Sequence, residues 1–145
     1  MRLLRRDAKV ELIRKVPLFS HCSKSQLAEV ASIADEIDFQ EGAELTREGE
    51  RGREFFVLLE GSAEVRRGGR TVSTLGEGDF LGEIALVTDL PRTATVVTTE
   101  PARALVVTDR AFRNLLDGSP EIHHQITAAL AERLAEMQRS RGADY

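Results

Sequence analysis

The placement of glycine limits this chain's fold more than any other feature. Nine of its 11 glycines (Gly42, Gly49, Gly52, Gly61, Gly68, Gly69, Gly76, Gly78 and Gly82) fall within residues 42–82. Glycine destabilises a helix interior, so a continuous helix through that window is excluded. Between the glycines and just beyond them lie short runs suited to strands: residues 37–39, 44–46, 54–60, 62–67, 70–75, 93–99 and 102–108. Arg67-Gly68-Gly69-Arg70 is the clearest hairpin turn, because paired glycines supply the positive φ angles a tight turn needs. Seven or eight short strands with few helices between them predict a mainly β fold. The expected form is an eight-stranded antiparallel jelly-roll barrel over residues 36–108.

The flanks read as helices. Leu3, Leu4, Ala8, Leu12, Ile13 and Val16 recur at helical spacing until Pro17 stops the pattern. Ser23 or Ser25 can cap a second helix carrying Leu27, Val30, Ala31 and Ala34. These N-terminal helices account for residues 1–35. Beyond the barrel, two C-terminal helices fill residues 109–140. Asp109 is placed to cap the first, which Gly118 ends. Ser119-Pro120-Glu121 opens the second with a capping hydroxyl and a proline at the first helical position. Its stripe of Ile122, Ile126, Ala129, Leu130, Leu134 and Met137 reads as core, with a homodimer seam as the alternative. Residues 1–145 together read as one domain.

Charge and composition narrow the function. Lys and Arg number 20 against 24 Asp and Glu, a net charge of −4. Residues 1–16 hold six basic and two acidic groups, a balance of +4, so the remainder carries −8. An acidic body argues against nucleic acid as a direct partner, and residues 141–145 leave no room for a recognition helix. No apolar run reaches the roughly 18 residues of a transmembrane segment, and the N-terminus lacks the apolar stretch of a secretory signal. The lone Cys22 excludes an internal disulfide and fits a reducing cytoplasm.

Catalysis finds no support. The three histidines, His21, His123 and His124, all lie in the helical flanks, so a histidine-based metal site inside the barrel is not expected. Cys22 beside His21 is a sequence neighbour only, and no nucleophile elbow is present. The chain is expected to be neither an enzyme nor a carrier of a metal or resident cofactor.

One segment does carry chemistry. Gly78-Asp79-Phe80-Leu81-Gly82-Glu83-Ile84-Ala85-Leu86, followed by Pro91-Arg92-Thr93-Ala94-Thr95-Val96, interrupts the strand pattern. Gly82 permits close backbone approach to a ligand. Glu83 to Leu86 can form a short helical turn whose N–H groups suit an anion. Arg92 opens an apolar run, where a guanidinium is costly unless paired, and its planar fork matches a phosphate. A carboxylate at Glu83 would be repulsive there unless it serves a donor such as a sugar hydroxyl.

This segment resembles the phosphate-binding cassette, residues 80–95 here, of cyclic nucleotide-binding domains. That module occurs in bacterial catabolite activator proteins and in protein kinase A regulatory subunits. The likeness extends to Glu48-Gly49-Glu50, Glu60-Gly61-Ser62 and the helices on both sides. It implies that Arg92 holds the exocyclic oxygens of a cyclic phosphate and that Glu83 accepts from the ribose 2′-hydroxyl. The backbone amides of Gly82, Glu83, Ile84 and Ala85 would cap the anion, and Thr93 would give it a hydroxyl. Val65, Val72 and Ser73 match positions lining base and sugar. Arg133 matches an arginine that reaches the cassette glutamate, and Met137 and Gln138 match positions approaching the base.

The resemblance thus implies a cytoplasmic, non-catalytic sensor that passes a signal to an unidentified protein effector. Cyclic AMP is expected ahead of cyclic GMP, although a threonine at position 93 can also serve a guanine 2-amino group. The alternatives are a degenerate adaptor that binds no nucleotide, and the sensor fragment of a transcription regulator.

Overall fold

The computed structural model describes residues 5–140, and for Met137 and Ser140 the helical backbone alone. Leu3 and Leu4 of the expected first helix, and residues 141–145, lie outside the described residues. Among the described residues, eight strands form two four-stranded antiparallel sheets, the expected jelly roll. In the first, β1 (Asp35–Phe39), β8 (Ala102–Thr108), β3 (Glu54–Glu60) and β6 (Phe80–Leu81) lie side by side in that order. In the second the order is β2 (Glu44–Thr46), β7 (Thr95–Thr98), β4 (Ala63–Arg67) and β5 (Arg70–Leu75).

Two strands are apolar on both faces, and packing on either side explains why. On β3, Phe56 and Leu58 face the second sheet together with Ala63, Val65, Leu81, Val96, Ala104 and Val106. The alternate residues Phe55 and Val57 join Leu105 and Val107 of β8 on the opposite face, beneath the helices. That outer layer comprises α1 (Arg6–Arg14), a 3-10 turn at Pro17–Phe19, α2 (Lys24–Ser32), α3 (Asp109–Gly118) and α4 (Pro120–Ser140). Phe19 sits at its centre, with the Phe55 and Phe112 rings 6.1 and 5.8 Å away. Ile122 and Ile126 of α4 pack into the same cluster, so the first half of the α4 stripe is core. Cys22 lies half-buried at its edge, and burial pushes its thiol pKa up to about 11.

Caps and turns follow local chemistry. Ser23 caps α2 with a reciprocal pair: its hydroxyl accepts from Gln26 N–H at 3.2 Å, and Gln26 Oε1 accepts from Ser23 N–H at 2.8 Å. At α3 the cap is Thr108, one residue earlier than expected; its hydroxyl accepts from Ala111 N–H at 3.2 Å, which makes Asp109 the first helical residue. Further differences arise in the β region, where β1 begins at Asp35 rather than residue 37 and β4 at Ala63 rather than residue 62. β6 is only two residues long, too short to show alternation, and it exists because Leu81 and Phe80 pair with Phe56 and Val57. β7 begins at Thr95 rather than residue 93, because the backbone of Arg92 and Thr93 is held by other partners.

Candidate functional site

The site is built around a slot between two glycines. Gly82 follows β6 with φ +81° and opens a 3-10 turn at Glu83–Leu86. A Cβ at Gly82 would lie 2.1 Å from Arg92 Nη1 and 2.9 Å from the Glu54 carbonyl oxygen. One at Gly52 would lie 2.2 Å from Arg92 Nε. The guanidinium therefore occupies space that exists only because both residues lack a side chain. Arg92 is 8% exposed, and its Nη2 donates to the Glu54 carbonyl. Burial lowers its pKa from the ordinary value, and the Glu54 carboxylate offsets part of that effect. A cation held in a cleft where burial works against its charge makes Arg92 a candidate functional residue.

The backbone around Arg92 is fixed from one side by the loop between β2 and β3. Arg92 N–H donates to the Glu50 carbonyl at 2.8 Å, and Gly49 N–H donates to the Arg92 carbonyl at 2.9 Å. Arg51 pairs with Asp89 and bridges to Pro91. A cavity of about 160 Å³ opens here, lined by Glu44, Glu50, Gly52, Glu54 and Arg92 among others.

Glu83, 3% exposed, joins distant parts of the chain. Its Oε1 accepts from Arg133 Nε on α4, and its Oε2 accepts from Leu18 N–H in the Pro17–Phe19 turn at 3.3 Å. Leu86, at the end of the same turn, packs into the helical cluster. The turn is thus mechanically linked to both helical flanks. His21 and Glu132 add a second tie from α4 to the N-terminal side at 2.9 Å. Ala85 N–H donates to the Gly82 carbonyl at 3.1 Å, closing the turn on itself.

Gly82, Glu83, Ala85, Arg92 and Arg133 come together, with Ile84 half-buried beside them. Thr93 is exposed directly after Arg92, and its carbonyl accepts from Arg67 Nε at 3.1 Å. Val65 is fully buried, paired with Val96 of β7 on one side and with Ser73 of β5 on the other. Val72 is skipped where the β4–β5 register shifts, and it is 51% exposed. Gln138 is exposed on α4, while the Met137 side chain is outside the described part of the structure. Three participants were not evident from sequence: Gly52, Arg67 and the Leu18 amide. The spacing of Gly52 behind Glu50 is a faint signal for the first. A backbone amide leaves none.

Among the described residues, no group of three or more His, Cys, Asp or Glu could hold a metal ion. No described helix is long and apolar enough to cross a membrane.

The profile of the family described as "Cyclic nucleotide-binding domain" matches residues 36–119, more than half of the chain. The chain belongs to the cyclic nucleotide-binding domain family. It is 39% identical over 121 residues to a cAMP-dependent protein kinase regulatory subunit of Mycosarcoma maydis, covering 77% of this chain and 23% of that one. It is 31% identical over 113 residues to a cGMP-dependent protein kinase of Toxoplasma gondii, covering 78% of this chain and 11% of that one. The chain therefore spans less than a quarter of the length of these curated relatives. Among solved structures, it is similar to the N-terminal domain of a transcriptional regulator from Streptomyces coelicolor. That match has a TM-score of 0.76 and 27% identity, covering 89% of this chain and 94% of the other. The region of this cyclic nucleotide-binding domain that builds the slot, from Gly52 to Arg92, falls wholly inside the matched segment.

Proposed function

We propose that residues 1–145 form a single regulatory domain that binds a cyclic nucleotide, cyclic AMP ahead of cyclic GMP, and catalyses no reaction. The observation that carries this reading is the Arg92 guanidinium, buried in the Gly52–Gly82 slot at the start of the Glu83 turn. In this reading Arg92 takes the exocyclic oxygens of the cyclic phosphate as a bidentate pair. The amides of Gly82, Glu83, Ile84 and Ala85 and the Thr93 hydroxyl surround the same anion. For Ala85 this means exchanging its bond to the Gly82 carbonyl for one to phosphate, so the turn changes shape as ligand enters. Glu83 offers its carboxylate to the ribose 2′-hydroxyl, and Val65, Val72 and Ser73 line sugar and base. Arg133, Met137 and Gln138 bring α4 over the ligand.

Regulation follows from the links already described. A ligand that reshapes the Glu83 turn acts on Leu86, on Arg133 and on the Pro17–Phe19 turn together. α4 then changes its hold on the domain, and a protein effector reads its position. This is allostery if the two positions of α4 differ in ligand affinity. A homodimer along α4 is one form such an output can take. The lone Cys22 supports a cytoplasmic setting.

Relatives named for both nucleotides keep the two as arms of one test. A ligand that binds only the folded state stabilises it by about 2.7 kcal/mol at a hundred times its dissociation constant. The thermal melt of the wild-type chain is therefore expected to rise clearly with cyclic AMP and less with cyclic GMP. A melt unmoved by either contradicts the reading. Gly52→Ala offers a finer check, since Gly52 has no positive φ to strain a side chain. The added Cβ forces Arg92 out of its slot, so binding is expected to fall roughly tenfold or more, as for a misaligned charged pair, with the fold retained.

The adaptor reading has one observation in its favour: both Glu83 oxygens already serve protein donors. In an adaptor, Glu83 would be structural only, and nucleotide would leave the melt unchanged.

A further inference from the structure

The side chains of β4 separate by face. Ala63 and Val65 are fully buried between the sheets, whereas Arg66 Nη2 and Glu64 pair at 2.8 Å across the outward face. Alternation along the strand brings Arg67 out on the same side as Val65. Its Nε–H donates to the Thr93 carbonyl at 3.1 Å.

The hairpin that carries Arg67 is an unfavourable place for cations unless they have work to do. Arg67 stands directly opposite Arg70 in the last pair of the β4–β5 ladder, and like charges so placed repel. Arg66 adds a third guanidinium beside Gly68-Gly69, in a chain whose net charge is −4. The hairpin tip is nevertheless anchored to the segment after Arg92. Glu48 links the two: Gly68 N–H donates to Glu48 Oε1 at 3.0 Å, and Glu48 N–H donates to Thr95 Oγ1 at 2.9 Å. Arg92 is held by Gly49 and Glu50, Thr95 by Glu48, and Thr93 between them by Arg67.

We propose that Arg67 is a positioning residue for the anion site, holding the Thr93 peptide so that its hydroxyl is presented to a cyclic phosphate diester. This inference rests on the reading of Arg92 and Thr93 as the pair that holds the phosphate. Thr93 lies two residues before the first residue of β7, outside the strand. With the Arg92 carbonyl held by Gly49 N–H, anchoring the Thr93 carbonyl fixes both peptide planes that meet at the Thr93 Cα, and with them the direction of its Cα–Cβ bond. A cationic donor strengthens that anchor.

The test is a double-mutant cycle read by binding of cyclic AMP and cyclic GMP to the full chain. Arg67→Met removes the donor at similar length, Arg67→Lys keeps a cationic donor, and Thr93→Ala removes the presented hydroxyl. Arg67→Met is expected to weaken binding about tenfold, the scale of one charge-assisted hydrogen bond, and Arg67→Lys to recover most of it. In the Thr93→Ala background, the same Arg67→Met change is expected to cost roughly twofold or less, because coupled residues do not add. A merely structural Arg67 would cost the same in both backgrounds. Equal losses overturn the proposal, as does wild-type affinity in Arg67→Met. Thermal melts accompany each variant, and Arg67→Gln replaces the methionine variant if that one melts early. If the wild-type chain binds neither nucleotide, the sensor reading itself fails and the inference falls with it. Binding by wild type without coupling removes the inference alone.

Discussion

Arg92→Ala is expected to weaken cyclic nucleotide binding by on the order of a hundredfold or more, the cost of removing one member of a desolvated charge pair. The unliganded melt should hardly move, because two effects oppose each other. Truncation loses the bond to the Glu54 carbonyl and the packing against Gly52 and Gly82. It also removes a cation from a place where burial works against its charge. Arg92→Lys should recover little, since an ammonium cannot present two parallel N–H groups to one phosphate. Titration of each purified variant, beside its melt without ligand, checks all three expectations. A large fall in unliganded stability with little change in affinity would make Arg92 a structural residue.

Glu83→Ala should produce the other large effect, and it should differ in kind. Here stability as well as affinity is expected to fall. The carboxylate is 3% exposed and receives both Arg133 and the Leu18 amide. Removing it leaves a buried N–H without its acceptor and takes from the largely buried Arg133 guanidinium the better buried of its carboxylate partners, leaving the half-exposed Glu136 at 3.5 Å. Together these cost about 2–4 kcal/mol, a drop in melting temperature on the order of 10 °C for a chain of this size. Binding of cyclic AMP should weaken about tenfold more than that of its 2′-deoxy analogue, which lacks the hydroxyl that Glu83 would accept. Equal losses for the two ligands would remove the ribose from the role of Glu83. Glu83→Gln separates the parts further, because the amide keeps one acceptor oxygen while losing the charge that faces Arg133.

Much of this architecture can be read from residue types and spacing. The glycines between 42 and 82 mark the strand boundaries because positive φ is needed there; Gly42, Gly49, Gly61, Gly68, Gly69, Gly78 and Gly82 all adopt it. Four strands begin and end where the residue pattern places them: β2, β3, β5 and β8. The Ser119-Pro120 pair announces its helix for local reasons, and residue type narrows the α2 cap to Ser23 or Ser25, of which Ser23 serves. Arg92 and Glu83 also stand out, as charges in an apolar stretch.

What escapes sequence is whatever depends on a distant backbone. The acceptor of Leu18 N–H lies 65 residues away, and no side-chain type advertises an amide in need of a partner. Gly52 looks like another turn glycine, yet its role is to leave room for the Arg92 side chain. Thr93 reads as a strand former by its β-branched type. Tertiary bonds to its neighbours and to its own carbonyl take it out of the ladder. Val72 also reads as a regular strand position, and only the register shift between Val65 and Arg66 leaves it unpaired and exposed.

The central claim, that Arg92 and the Glu83 turn form a cyclic nucleotide site, is tested most directly by calorimetric titration of the wild-type chain with cyclic AMP and cyclic GMP. A saturable heat corresponding to one site per chain, larger in affinity for cyclic AMP and lost in Arg92→Ala, is the predicted result. No saturable heat with either nucleotide would contradict it.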